Sequence, residues 1–236
     1  MAKFWCMDLQ EQSLCARIKA HLNAFWKENR QFFLLLFCIV FFKSAIADLS
    51  SISGASMQPT LLDGDKVWVN KLAYDVKIPF TEISLAEVGD PERGDIVIID
   101  SKRASKRLVK RIVGLPGDTI YIQNNSLVVN GEPANYEVLS RDSNSIIIQE
   151  ELEDMVHQAR LSSRYMNRSS RSYGPTVVPE DQYFVLGDNR DNSADSRVYS
   201  FVPRSELIGR SSSVVFSLDS HNNYLPRGER FLEVIE

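Results

Sequence analysis

Arg107-Leu108-Val109-Lys110-Arg111-Ile112-Val113-Gly114-Leu115-Pro116-Gly117-Asp118 is an aliphatic, partly β-branched run closed by a Gly/Pro turn, the composition of a strand that stops abruptly. Successive strand residues alternate between faces, so Lys110 has Leu108 and Ile112 as its same-face neighbours. Apolar surroundings disfavour the charged form of lysine, and a lysine made neutral can take a proton from a hydroxyl near neutral pH. The same run also reads as an exposed cationic strand face shared by Arg107, Lys110 and Arg111. Both faces carry apolar residues, so alternation leaves open which of them meets a core.

The texture on either side is the same. Val67-Trp68-Val69, Asp95 to Ile99, Tyr183 to Leu186 and Ser213 to Ser217 are further short β-branched or aromatic runs. Thr119 to Ile122 and Leu127 to Val129 flank Asn124-Asn125, with Asn130-Gly131 after them, which predicts a hairpin followed by a tight turn. No alternation of helix and strand suggests a parallel sheet, so the fold class is mainly β. Residues 136–179 differ: an acidic, helix-like piece from Gln149 to Arg160 precedes a Ser/Arg-rich tract from Ser162 to Gly174. We read them as an inserted α/β or loop-rich cap.

Composition narrows the function. The 236-residue chain is 44% hydrophobic and 25% charged, ordinary for a globular domain. A net charge of −4 leaves no basic surplus for a nucleic-acid partner. Cys6, Cys15 and Cys38 all precede Phe42, which suits a disulfide-free domain facing an oxidising compartment and excludes a cysteine nucleophile or Cys-based zinc site there. His21, His157 and His221 sit apart from any motif among polar neighbours, so a Ser-His-Asp triad or a His-rich metal site has little support.

The N-terminal quarter has its own logic. Leu14, Ile18, Leu22 and Phe25 recur at helical spacing opposite Arg17, Lys19 and Glu28. Phe32 to Phe42 is an unbroken apolar run; extended to Leu49, with Lys43 snorkelling, it approaches the ~17–20 residues a bilayer needs. Arg17, Lys19, Lys27 and Arg30 place the preceding segment in the cytoplasm. Ala45-Ile46-Ala47 also resembles the cleavage site of a signal peptide, but the long n-region and Lys43 favour an uncleaved anchor. Just beyond lies Ser53-Gly54-Ala55-Ser56-Met57-Gln58-Pro59-Thr60-Leu61, a serine bracketed by small residues and a proline that stiffens the turn. It is either a polar linker or the seat of a reactive hydroxyl.

Gly187-Asp188-Asn189-Arg190-Asp191-Asn192-Ser193-Ala194-Asp195-Ser196-Arg197 invites a calcium-loop reading, which fails because the sixth position from Asp188 is Ser193 and the twelfth is Tyr199. Asx hydrogen bonds and an Asp–Arg pair describe it better, and such a turn can aim a hydroxyl at a neighbouring lysine.

Taken in order, Gly54-x-Ser56-Met57-x-Pro59-Thr60-Leu61, Lys110 to Asp118 and Gly187 to Arg197 resemble the boxes of the bacterial type I signal peptidase family. Asp65 to Lys71 and Arg93 to Val97 resemble its intervening boxes, so the likeness runs from about Ile52 to Val215. The resemblance implies an antiparallel β-sheet catalytic domain preceded by a transmembrane helix. It implies a serine protease that removes signal peptides after Ala-x-Ala, with Ser56 as nucleophile and Lys110 as general base. Ser193 would orient the lysine, Asp188, Asp195 and Arg197 would give structural support, and Ser56 with Gly54 would stand at the oxyanion hole. Gly54 occupies a position where some members carry a serine donor.

The implied layout is a cytoplasmic segment at 1–31, an anchor at 32–49 and an extracytoplasmic catalytic domain at 50–236, with 136–179 variable. The expected partners are signal peptides and membrane lipid, with no cofactor or metal, in a monomer single-pass in the cytoplasmic membrane. Two alternatives stand beside this: a self-cleaving repressor-type Ser/Lys protease, and a tethered β-domain that binds an envelope partner without catalysis.

Overall fold

The computed structural model describes residues 6–78, 81, 83–153, 155–163, 171–220 and 222–235. It divides into two compact units, Met1–Ser44 and Ala45–Glu236. The first is essentially one helix, α1 (Cys6–Ala45). No glycine or proline interrupts that span, so nothing breaks the hydrogen-bond ladder between the expected amphipathic segment and the apolar run. Phe32, Leu34, Leu35, Phe37 and Ile39 lie exposed along it. Among the described residues no helix is long and apolar enough to cross a membrane. The apolar run does not extend helically to Leu49, because the chain leaves the helix at Ala45 and enters a strand.

The second unit is mainly antiparallel β. Its strands are β1 (Ala47–Ser51), β2 (Asp65–Asn70), β3 (Asp75–Lys77), β4 (Ser84–Glu87), β5 (Ile96–Ser101) and β6 (Lys106–Gly114). There follow β7 (Thr119–Gln123), β8 (Ser126–Val129), β9 (Glu132–Pro133), β10 (Asn135–Arg141), β11 (Ser145–Leu152) and β12 (Met155–Ser162). The last are β13 (Tyr173–Val177), β14 (Gln182–Leu186), β15 (Val202–Pro203), β16 (Leu207–Asp219), β17 (Leu225–Pro226) and β18 (Glu233–Val234), with one short helix, α2 (Ser196–Tyr199), before β15. The principal sheet has the order β1-β2-β16-β5-β6-β14-β15, with β17 and β18 paired to β16.

Alternation explains why β5 and β6 sit at its centre. Ile96 and Ile98 pack into one apolar cluster with Val67, Met57 and Leu61. Val97 and Ile99 pack into another with Leu108, Ile112 and Val185. Both faces of these strands are therefore buried, which is why the hydrophobic pattern of Arg107 to Val113 could not single out a core side. The expected hairpin is present as β7–β8, with Asn124 and Asn125 at positive φ, and Asn130-Gly131 turns into β9.

Residues 136–179 depart from the expectation. The Gln149–Arg160 stretch is not helical; it falls in the hairpin β11–β12, which with β10 makes a separate three-stranded sheet. Its polar residues hide a period of two: Ile148, Glu150 and Leu152 alternate inward on β11, as do Met155, His157 and Ala159 on β12. Glutamate and glutamine favour helices only weakly, and tertiary pairing overrides that preference here. Glu150 is fully buried because Arg190 meets it with two hydrogen bonds. The cap is thus built of strands, and part of its Ser/Arg-rich tract, residues 164–170, lies outside the described residues.

Candidate active site

Ser56 sits in the connection between β1 and β2. Met57 and Leu61 are 1% and 0% exposed and plug this connection into the core, and the Leu61 N–H closes a single turn on the Met57 carbonyl at 2.9 Å. With its neighbours anchored below, Ser56 stays half-buried at the rim. Upstream, Gly54 has φ +91°, a conformation other residues reach only with strain. Its N–H is committed to Asp63 Oδ1 at 2.9 Å, whereas none of the hydrogen bonds that hold the turn uses the Ser56 N–H. The Gln58–Pro59 peptide is cis.

Lys110 comes from the centre of β6 and is 2% exposed. Its Nζ donates to Ser56 Oγ at 2.8 Å and to the Val109 carbonyl at 2.7 Å. Burial lowers its pKa to about 8, and the more distant Asp195 and Asp188 carboxylates oppose that shift without cancelling it. The two residues, 54 apart in sequence, thus form a hydroxyl–amine pair in which the amine is largely deprived of water.

The third stretch closes the site from the other side. Asn189 donates its backbone N–H to the Ser56 carbonyl (3.0 Å) and its amide Nδ2 to the Ala55 carbonyl (2.8 Å), clamping the serine turn. Asp188 accepts two bonds from Arg111 at 3.0 and 2.9 Å and one from Thr60 Oγ1 at 2.6 Å. Asp195 and Arg197 form the expected pair, two-pronged at 2.8 Å each; Asp195 also accepts the Gly187 N–H, and Arg197 reaches the Arg190 carbonyl. Both carboxylates are held below the usual range by these arginines against the opposing effect of burial. Gly187 is required by proximity: a Cβ there would lie 2.2 Å from Ser193 Oγ and 2.5 Å from the Ser56 carbonyl.

Ser193 lines the same cleft as Ser56 and Lys110. Its hydroxyl is buried with no hydrogen-bond partner of good geometry, though close enough to Asp195 to help keep that carboxylate ionised. Lys110 bonds Ser56 and the backbone rather than Ser193 in this structure. Gly54 adjoins the cleft but, with its N–H engaged, offers no donor.

Sequence reasoning left His157 among polar neighbours, apart from any motif. It is a buried strand residue, with Nε2 3.6 Å from Glu150, 3.8 Å from Asp188 and 3.3 Å from Arg190. Burial, then the Arg111 charge, lowers its pKa to about 4, so it is neutral at pH 7. The only signal was its place in the inward-facing positions of β12, which a helical reading concealed. Among the described residues no group of histidine, cysteine or carboxylate side chains is arranged to hold a metal ion.

The cleft beside Ser56 has a volume of about 650 Å³ and is walled by Ser50 to Met57 on one side and Lys106 to Lys110 on the other. β1 ends the sheet, and β6 pairs with β14 only at Arg111, Ile112 and Gly114. Strand edges therefore border the cleft with backbone groups to spare.

Most of the chain resembles known proteins. The family described as "Signal peptidase, peptidase S26" matches residues 26–216. Signal peptidase I of Pseudomonas fluorescens is 34% identical over 206 residues, 80% of this chain and 72% of that one. The Pseudomonas aeruginosa signal peptidase I is 33% identical over the same shares. Signal peptidase I P of Bacillus subtilis subsp. natto is 35% identical over 169 residues, 71% of this chain and 76% of its own. The chain belongs to the signal peptidase family, peptidase S26, and is a serine peptidase that cleaves signal peptides from preproteins.

Proposed function

We propose that Ser56 and Lys110 are the reacting pair of a signal peptidase that cuts after Ala-x-Ala while tethered to the membrane by its N-terminal helix. One observation carries this reading: the Lys110 amine lies 2.8 Å from Ser56 Oγ and is buried enough to lose its proton near pH 8. The neutral amine removes the Ser56 proton as Oγ attacks the scissile carbonyl, then returns that proton to the leaving amine, giving an acyl-serine that water hydrolyses. The Ser56 N–H is the oxyanion donor; Gly54 contributes space rather than a second N–H. During acylation Lys110 loses Ser56 Oγ as a partner, and Ser193 Oγ, which lines the same cleft, takes it up. Asp188, Asp195 and Arg197 fix the loop that carries these contacts.

The signal segment lies extended in the cleft and pairs with the free edges of β1 and β6. Ile52, Met57 and Val109 line the cleft floor and favour small apolar side chains next to the bond. The exposed run Phe32 to Val40 supports membrane association. With purified protein and an Ala-x-Ala preprotein, Ser56→Ala should abolish cleavage; processing by that variant at wild-type rate overturns the reading. The tether is checked separately by alkaline extraction, where release of the full chain into the soluble fraction refutes it.

A further inference from the structure

The inserted hairpin makes a second cavity of about 350 Å³ beside the serine turn, sharing Ala55, Asp191 and Asn192 with the cleft just described. The two adjoin along the turn that holds Ser56, the first lined by Ser50 to Met57 and the second by Ala55 and Gln58. The first is bordered by strand edges. The second is polar, lined by Gln58, Asn144, Ser145, Arg160, Arg171 and Asn189 among others. Two arginines face it, and they differ. Arg171 is matched by Asp191 through two bonds of 2.8 and 2.9 Å. Arg160 donates to the neutral Gln58 Oε1 at 2.6 Å. Asp142 lies within electrostatic reach of Arg160, but its oxygens accept from Asn144 and Ser145.

The placement of Arg160 is not incidental to the hairpin. Its backbone N–H donates to the Asp188 carbonyl at 2.8 Å, and it bridges Asn189, the residue that clamps the Ser56 carbonyl. The insertion is thus stitched to the loop behind the nucleophile and delivers a half-buried guanidinium two residues beyond Ser56, by way of Gln58. That guanidinium is paired with no carboxylate among the described residues, since the lining Asp191 is taken by Arg171.

We propose that this lobe receives the segment that follows the scissile bond, and that Arg160 there selects a carboxylate side chain within its first few residues. The proposal rests on Ser56 and Lys110 being the reacting pair: a signal segment bound along the strand edges sends the rest of the chain past Ser56, where the second lobe adjoins the first. Gln58 would yield the guanidinium to an incoming carboxylate, because a charge-assisted bond is stronger than one to a neutral amide.

The test uses the full-length protein in detergent and one Ala-x-Ala preprotein sequence, varied to Glu, Gln or Lys at each of the first four positions after the bond. At one of these positions kcat/KM should rank Glu above Gln by about five-fold and Lys below both. The preference should shrink when sodium chloride is raised. Arg160→Gln should bring the Glu/Gln ratio to near one, and Arg160→Glu should reverse the ranking of Glu and Lys. A flat profile in the wild type at low salt overturns the proposal, as does a Glu preference that survives in Arg160→Gln. The wild-type profile and its salt response decide the matter even if a variant fails to fold. Failure of the wild type to cleave any member of the set would instead overturn the Ser56–Lys110 reading itself.

Discussion

Lys110 and Arg111 are neighbours on β6, point to opposite faces and are buried almost equally, at 2% and 1% exposure. Their chemistry diverges because their partners do. Arg111 meets Asp188 with two bonds and the Gly94 carbonyl with a third, so its charge is fully compensated. Lys110 has a hydroxyl and a carbonyl and, among the described residues, no carboxylate within hydrogen-bonding distance. A buried cation with an ion partner becomes structure. A buried cation without one is poised to lose its proton.

The sharpest way to break this comparison is to change Lys110. Lys110→Met and Lys110→Arg should each reduce kcat/KM by at least about 10³-fold, since methionine has no basic nitrogen and guanidinium keeps its proton. Ser56→Ala combined with Lys110→Met should be no worse than either alone if the proposed pair acts as a unit. In the wild type kcat/KM should rise with pH through about 8, as Lys110 gives up its proton. Stability rises with pH as well, over a higher window. The folded pKa lies below the ordinary lysine value of 10.5, so between pH 8 and 10.5 the unfolded chain binds more protons and stability rises with pH. Lys110→Met should therefore melt no lower than wild type at pH 7, with any advantage fading above pH 10. A Lys110→Arg enzyme with near-normal turnover sinks the assignment.

Arg111→Met should do the reverse. It leaves the fully buried Asp188 carboxylate without its ion partner, a loss of about 3–5 kcal/mol of stability. Adding Asp188→Leu should recover part of that loss, because the stranded charge goes with it; denaturant titration of the four proteins measures the coupling. If Arg111→Met were as mild as Lys110→Met, the distinction between the two residues would collapse.

How much of this was legible beforehand follows from the same physics. Ser56, Lys110 and the Gly187–Arg197 loop stood out because reactive or structural polar residues inside short strands and tight turns are locally anomalous. The β class was legible in the period-two runs around β5, β6 and β7. What stayed hidden depends on distant pairing. Glu150 looks like a solvent-facing residue until Arg190 arrives from elsewhere in the chain to neutralise it, and His157 does until burial beside Arg111 leaves it uncharged. The Gln149–Arg160 stretch therefore passed for an acidic helix, and the cap for a loose insertion. Likewise, nothing local in Ala47-Asp48-Leu49 reveals that it pairs with Asn70, Val69 and Trp68 and so ends the helix early. Ser193 was found by its motif, but its burial beside Asp195 and the committed N–H of Gly54 needed coordinates.

His157 offers the smallest and cleanest test, as a group between the two extremes: buried, near charges of both signs, and neutral. It faces Glu150 from β11, Asp188 and Arg190 from the loop after β14, and Arg111 from β6. Its folded pKa of about 4 lies below the ordinary 6.5, so between these values the unfolded chain binds more protons. Stability should then fall as pH drops through that window, by roughly 2 kcal/mol between pH 6.5 and 5. The buried carboxylates Glu150 and Asp188 are shifted downward, so the stability they supply is lost only once pH falls below their ordinary values of 4.5 and 3.8. The interval from 6.5 to 5 thus isolates the histidine. In His157→Gln, which keeps a polar side chain but cannot titrate, the pH dependence of the melting temperature across this interval should flatten. Parallel slopes for variant and wild type would mean that His157 takes up its proton in the folded protein, and that burial beside Arg111 does not hold it neutral.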